Sequence, residues 1–176
     1  VQDRFAEGLL QTLIEIGPEL LESPNDYDLQ ANFMWTATLA LNGLIGAGVP
    51  QDWATHMIGH EITALHGLDH AQTLAILLPT VLQEQREKKS AKLLQYAERV
   101  WGLNEGTDDT KINMAITKTR DFFERMGVKT HLSDYQINAD AIPVMIKQLA
   151  EHGLTQLGEH NDIDLKKSQQ ILQASL

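Results

Sequence analysis

Four of the seven histidines in this 176-residue chain, His56, His60, His66 and His70, fall between Thr55 and His70. Composition alone puts fewer than about one histidine in such a window. Imidazole is the commonest metal-ligating side chain and the one whose charge changes near neutral pH, so the window reads as part of a metal site. His56 and His60 stand at i and i+4, which on a helix puts their Cβ atoms about 6 Å apart on one face. His66 lies off that face. His70 is fourteen residues beyond His56 and cannot meet it on a continuous helix, since a rise of about 1.5 Å per residue carries the two far apart. A chain reversal removes the obstacle. If the helix stops near Leu65 or His66, Gly67 is its natural stop residue, and Asp69 is a plausible N-cap for a following helix with His70 in its first turn. A histidine pair alone does not complete a catalytic metal site, which takes three or more protein ligands and keeps a position open, so at least one ligand is missing here. The pair His60-Glu61 suggests a metalloprotease, but that motif needs a histidine at position 64 and the chain has Ala64.

The elements that must position these residues read as helices throughout. Phe5, Leu9, Leu13 and Ile16 mark an amphipathic helix that Gly17-Pro18 interrupts, and Ser23-Pro24-Asn25 closes it. From Asp26, a second helix carries Leu29, Phe33, Ala37, Ala40, Leu41 and Leu44 on more than one face, the pattern of a helix buried in the core. Gly43, Gly46 and Gly48 come at the end of a helix and not after a strand, so helix-ending and close-packing roles are assigned and no phosphate. Asp52 caps the histidine helix, with Trp53 placed to wall the histidine face. The apolar run from Thr73 to Val81 reads as a second buried helix, with Pro79 bending or ending its middle, and Glu84 to Lys89 is a solvated helix face or connector. Further helices run through Leu93 to Trp101, from Thr107 to Gly127, from Asn138 to Glu151 and from Asp164 onward. Ser133 caps a short turn, Leu154 to Ile163 is a polar loop, and His131, His152 and His160 carry no assigned role. No useful alternating strand pattern occurs. The fold class is all-α, a compact array of about eight helices forming one domain over residues 1–176.

Composition narrows the function. A 43% hydrophobic content suits a globular domain, and a net charge of −10 argues against nucleic acid and anionic membrane as partners. No apolar run of membrane-spanning length and no targeting segment is found, which gives the expectation of a cytoplasmic protein. With no cysteine, any metal is left to histidine and carboxylate ligands. The start at Val1, directly in a helical pattern, suggests a piece of a longer protein, and removal of an initiator Met gives the same start.

His56-Met-Ile-Gly-His60 with His70 following, then a small and apolar helix ending in Leu77-Leu78-Pro79, resembles the iron-containing (group III) alcohol dehydrogenases. The stretch from Asn42 to Trp53, that from Leu68 to Ala75 and Gln2-Asp-Arg-Phe-Ala-Glu-Gly8 are similar to the branch of NADPH-dependent aldehyde reductases and butanol dehydrogenases. The resemblance implies a dehydroquinate synthase-like C-terminal helical domain, with His56 and His70 as metal ligands and His60 beside the nicotinamide and substrate. It also implies a divalent metal, iron or zinc, as Lewis acid, NADP(H) as hydride carrier, His60 or a water as proton relay, an aldehyde or primary alcohol as substrate, and a homodimer. In that family an Asp and a His complete the ligand set from an N-terminal dinucleotide-binding α/β domain, which this sequence does not contain, so the chain by itself is expected to be inactive.

Two other readings compete. One is a helical self-association module with incidental histidines. The other is an independent two-histidine metal hydrolase, which needs a carboxylate such as Asp52 or Glu61 near His56. Replacing His56 and His70 by alanine separates the first of these from the dehydrogenase, and hydrolysis with added metal identifies the second.

Overall fold

A computed structural model describes residues 1–176 and contains eight α-helices, with a two-stranded ladder as the only sheet. The all-α expectation holds. By its internal contacts the chain divides into two compact units, and it passes from one to the other at Pro50, Lys88 and Met126.

The first unit, residues 1–50 and 89–126, holds α1 (Gln2–Glu22), α2 (Tyr27–Leu41), α5 (Ser90–Arg99) and α6 (Asp108–Arg125). Contrary to the expected break at Gly17-Pro18, α1 runs through both residues. Proline costs that turn one intrahelical hydrogen bond, but both residues are buried, and Gly17 lies so close to Met126 and Phe122 that a Cβ there would meet the methionine at 3.3 Å. Packing overrides the local preference. The polar side of α1 is tied to α5 through Glu7, only 7% exposed, which accepts hydrogen bonds from Gln95 and Arg99.

The expectation for α2 is corrected. Asp26 caps it as read, its carboxylate accepting the Leu29 N–H at 3.0 Å. Of its fifteen residues, however, only Thr36 is buried; Met34 is 61%, Trp35 63% and Leu41 86% exposed. Apolar residues around a helix mark it for burial, and within this chain little covers them. After α2, Gly43 (φ 86°) takes the left-handed backbone that ends the helix, and Leu44–Gly46 forms a 3₁₀ turn. Helix α5 ends at Arg99, before the Trp101 expected within it, and Thr107 caps α6 as read.

The second unit, residues 51–88 and 127–176, contains α3 (Ala54–His66), α4 (His70–Glu84), α7 (Ile142–Glu151) and α8 (Leu165–Ala174). Its core includes Ile58 and Ile62 from α3, Leu77 from α4, Met145 from α7 and Leu172 from α8, each fully buried. Pro79 lies inside α4 without ending it. The charged stretch between α4 and Lys88 is a turn in which Glu84 pairs with Lys167 and Lys88 with Asp162. Three local expectations are corrected. The turn at Leu132–Tyr135 is capped by His131 with Asp134, and the Ser133 hydroxyl instead donates to the Leu176 carbonyl. The segment after Asn138 starts as a 3₁₀ turn, Ala139–Ala141, and α7 proper begins at Ile142. The polar loop before α8 contains antiparallel strands β1 (Gln156–Leu157) and β2 (Ile163–Asp164), with Gln156 opposite Asp164 and Leu157 opposite Ile163. Two residues per strand give no alternation to read in sequence. Asp164 caps α8 through the Lys167 N–H at 2.7 Å.

Candidate metal centre

The site is made by the reversal between α3 and α4. Asp52 was expected as the N-cap of α3; the cap is Trp53, and Asp52 assists from one residue earlier by accepting the Ala54 N–H at 2.8 Å. At the far end Gly67 (φ 71°, ψ 17°) adopts the left-handed conformation, and its N–H bonds the Thr63 carbonyl at 2.9 Å. A side chain at such a position is strained, so glycine ends the helix where the chain must turn back. Asp69 starts α4 with a reciprocal capping box: its side chain accepts the Gln72 backbone N–H, and the Gln72 side-chain Oε1 accepts the Asp69 N–H at 2.9 Å. His70 is therefore the first residue of α4, held at its N-terminus against α3.

Three imidazoles converge there. The rings of His56 and His70 are 5.1 Å apart between centroids and those of His60 and His70 5.6 Å. Trp53 stands edge-on to His56 at 5.1 Å and 65°, the wall expected from sequence. His56 is half-buried, while His60 and His70 are exposed. Burial first, then the like charge of His70 and His60, pushes the His56 imidazole below its ordinary pKa. The shift disfavours the charged form, and the neutral ring is the one that donates its lone pair to a cation. His66 ends α3 exposed and outside the cluster.

With a metal about 2.1 Å from each ring nitrogen, two imidazoles at a tetrahedral angle have centroids about 5.2 Å apart, and the His56–His70 separation of 5.1 Å is compatible with a cation shared by those two rings. The donors are incomplete, since no group of three or more His, Asp or Glu side chains is arranged to hold an ion. Glu61, a carboxylate considered for a hydrolytic site, is only 3% exposed and engages His152, its Oε1 lying 2.8 Å from Nδ1. Asp52 is turned to the helix N-terminus. Neither leaves a carboxylate free beside His56, which weakens the hydrolase reading.

The whole chain, residues 1–176, matches the model of the Fe-containing alcohol dehydrogenase family, C-terminal. The chain belongs to the iron-containing alcohol dehydrogenase family. It is 64% identical over 175 residues to the NADPH-dependent aldehyde reductase YqhD of Escherichia coli, covering 99% of this chain and 45% of that protein. It is 34% identical to a probable NADH-dependent butanol dehydrogenase of Bacillus subtilis, covering 99% of this chain and 45% of the other. The crystal structure of E. coli YqhD superposes with a TM-score of 0.98 at 63% identity over 99% of this chain and 45% of that one. An NADH-dependent butanol dehydrogenase from Thermotoga maritima superposes at 0.91 and 26% identity, over 99% of this chain and 46% of its own. The chain thus spans less than half the length of the relatives it matches.

Two features around the site have little or no signature in the sequence. The Glu61–His152 bond joins residues far apart in the chain and has no local signature. The close packing of Gly59 on Thr73 had one available signal, a glycine between the two histidines of α3, since a small residue inside a helix marks close approach of another element.

Proposed function

We propose that this chain is the metal-binding helical domain of an NADPH-dependent alcohol dehydrogenase or aldehyde reductase that interconverts aldehydes and primary alcohols. The observation that carries the reading is the convergence of His56 and His70 at 5.1 Å across a helix reversal, in a chain so similar to an aldehyde reductase. In this reading His56 and His70 hold a divalent metal, iron or zinc, through neutral ring nitrogens. Bound there, the metal supplies Lewis acidity toward the substrate oxygen and NADPH supplies the hydride. The capping box at Asp69 orients His70, and Trp53 limits the rotation of His56. His60, exposed and next to His70, gives a proton to the substrate oxygen in reduction and takes it back in oxidation. The further ligands and the dinucleotide site belong to an upstream α/β domain, so the 176 residues alone do not turn over.

The test joins this chain to the upstream region of E. coli YqhD and measures metal content and NADPH oxidation with butanal. His56→Ala or His70→Ala should remove both metal and activity. His60→Ala should keep the metal and lower kcat by about 10²-fold or more. Retention of full metal by both the His56→Ala and His70→Ala proteins overturns the reading.

The exposed apolar side of α2 favours a second reading, in which this face mediates self-association into a homodimer. Both readings hold together if dimerisation and metal binding use different faces, and mutating α2 separates them.

A further inference from the structure

Gly59 lies on α3 between His56 and His60, and Thr73 lies on α4 one turn after His70. Both are buried, Thr73 completely. A Cβ placed on Gly59 would stand 2.9 Å from the Thr73 hydroxyl oxygen and 3.3 Å from its Cβ, with Leu77 Cδ1 next at 3.7 Å. The two helices therefore touch at this point with no room for one more carbon. Thr73 is poorly able to give way: its β-branched side chain has few rotamers, and its hydroxyl donates to the His70 carbonyl at 2.9 Å. The helices are also pinned beside it by the fully buried Ile58, Ile62 and Leu77.

We infer that Gly59 and Thr73 are positioning residues: their contact sets the spacing of α3 and α4 at which the rings of His56, His60 and His70 converge. Imidazoles projecting from two helices keep their mutual distance only while the backbones do, and a metal-binding constellation tolerates about 0.5 Å of misplacement. The contact lies within a turn of all three rings. An extra methyl at position 59 separates the helices and opens the ring cluster, even though it touches no histidine. Removing the Thr73 hydroxyl and methyl relieves the 2.9 Å contact and leaves only the 3.3 Å approach of the two Cβ atoms, which a shift of a few tenths of an ångström accommodates, so most of the spacing is restored. The part of this inference that concerns cation binding rests on the metal reading above; the ring spacing does not.

The experiment compares the unaltered chain with Gly59→Ala, Thr73→Ala and the double variant. Zn²⁺ or Co²⁺ alone is titrated, and the proximity of the His56 and His70 rings is read by NMR without metal. Gly59→Ala should lose the inter-ring contact and weaken cation binding by about tenfold or more, while circular dichroism shows the helices retained. Gly59→Ala/Thr73→Ala should recover both, and Thr73→Ala alone should keep both. If Gly59→Ala does not fold, the double variant must fold and show the contact. Unchanged ring proximity in Gly59→Ala, or a double variant that recovers nothing, overturns the inference. Should His56→Ala and His70→Ala leave cation binding untouched in the full-length hybrid, the metal reading fails, and the ring contact still reports on Gly59 and Thr73.

Discussion

His56 is the ring of the cluster on which the local electrostatics are most legible. Its imidazole is half-buried and held below the ordinary value of 6.5 by burial, then by His70 and His60. The unfolded chain binds a proton there more readily than the folded one, so this group's contribution to stability is full above pH 6.5 and is lost as pH falls through the folded value. The expected outcome is a His56 titration midpoint below 6.5 by NMR, with bound cation released as acidity rises, because protons compete for the same nitrogens. A midpoint at or above that of an unstructured histidine contradicts the burial. Glu61 makes a different prediction. Its carboxylate is buried with Oε1 on His152 and with Oε2 lacking a partner. Glu61→Ala should cost about 2 kcal/mol in denaturant unfolding, the scale of a lost charged hydrogen bond, and Glu61→Gln, which keeps an acceptor for the ring, should cost less.

At the scale of elements, the site depends on how α3 stops and how α4 starts. The reversal is made by Gly67 in the left-handed region and by the Asp69–Gln72 capping box. Asp69→Ala should lower stability by about 1 kcal/mol and loosen His70, the first helical residue after it; thermal melts and the His56–His70 ring contact check the two effects. Gly67→Ala should cost about 1–2 kcal/mol, the penalty for a side chain in that conformation. Pro18 shows the opposite balance. A residue that ends helices by its local chemistry sits within α1, because one missing hydrogen bond is outweighed where the turn around it is packed.

Across the whole molecule, the apolar surface of α2 is the feature that the isolated chain leaves unmatched. Met34, Trp35 and Leu41 are each more than half exposed on this one helix, the kind of apolar exposure that interaction surfaces use. Replacing Trp35 and Leu41 by Glu should leave the helix content intact and abolish concentration-dependent dimers in sedimentation; identical sedimentation of the variant and the unaltered chain removes α2 as a self-association face. No helix is long and apolar enough to cross a membrane. The net charge of −10 also disfavours non-specific attraction to polyanions.

The sequence by itself determined the helical class, most helix ends and the local route by which His70 returns to His56. Each of these depends on residues a few positions apart: Gly67 and Asp69 act on their own turn, as Asp26, Thr107 and Asp164 do on theirs. The tertiary structure decided what requires two distant segments to meet. The exposure of α2 depends on which elements come to cover it, and an apolar pattern states only that burial is favourable. The continuity of α1 through Pro18, the Glu61–His152 bond and the fit of Gly59 against Thr73 depend likewise on packing between elements, where a few tenths of an ångström determine whether three rings share a volume.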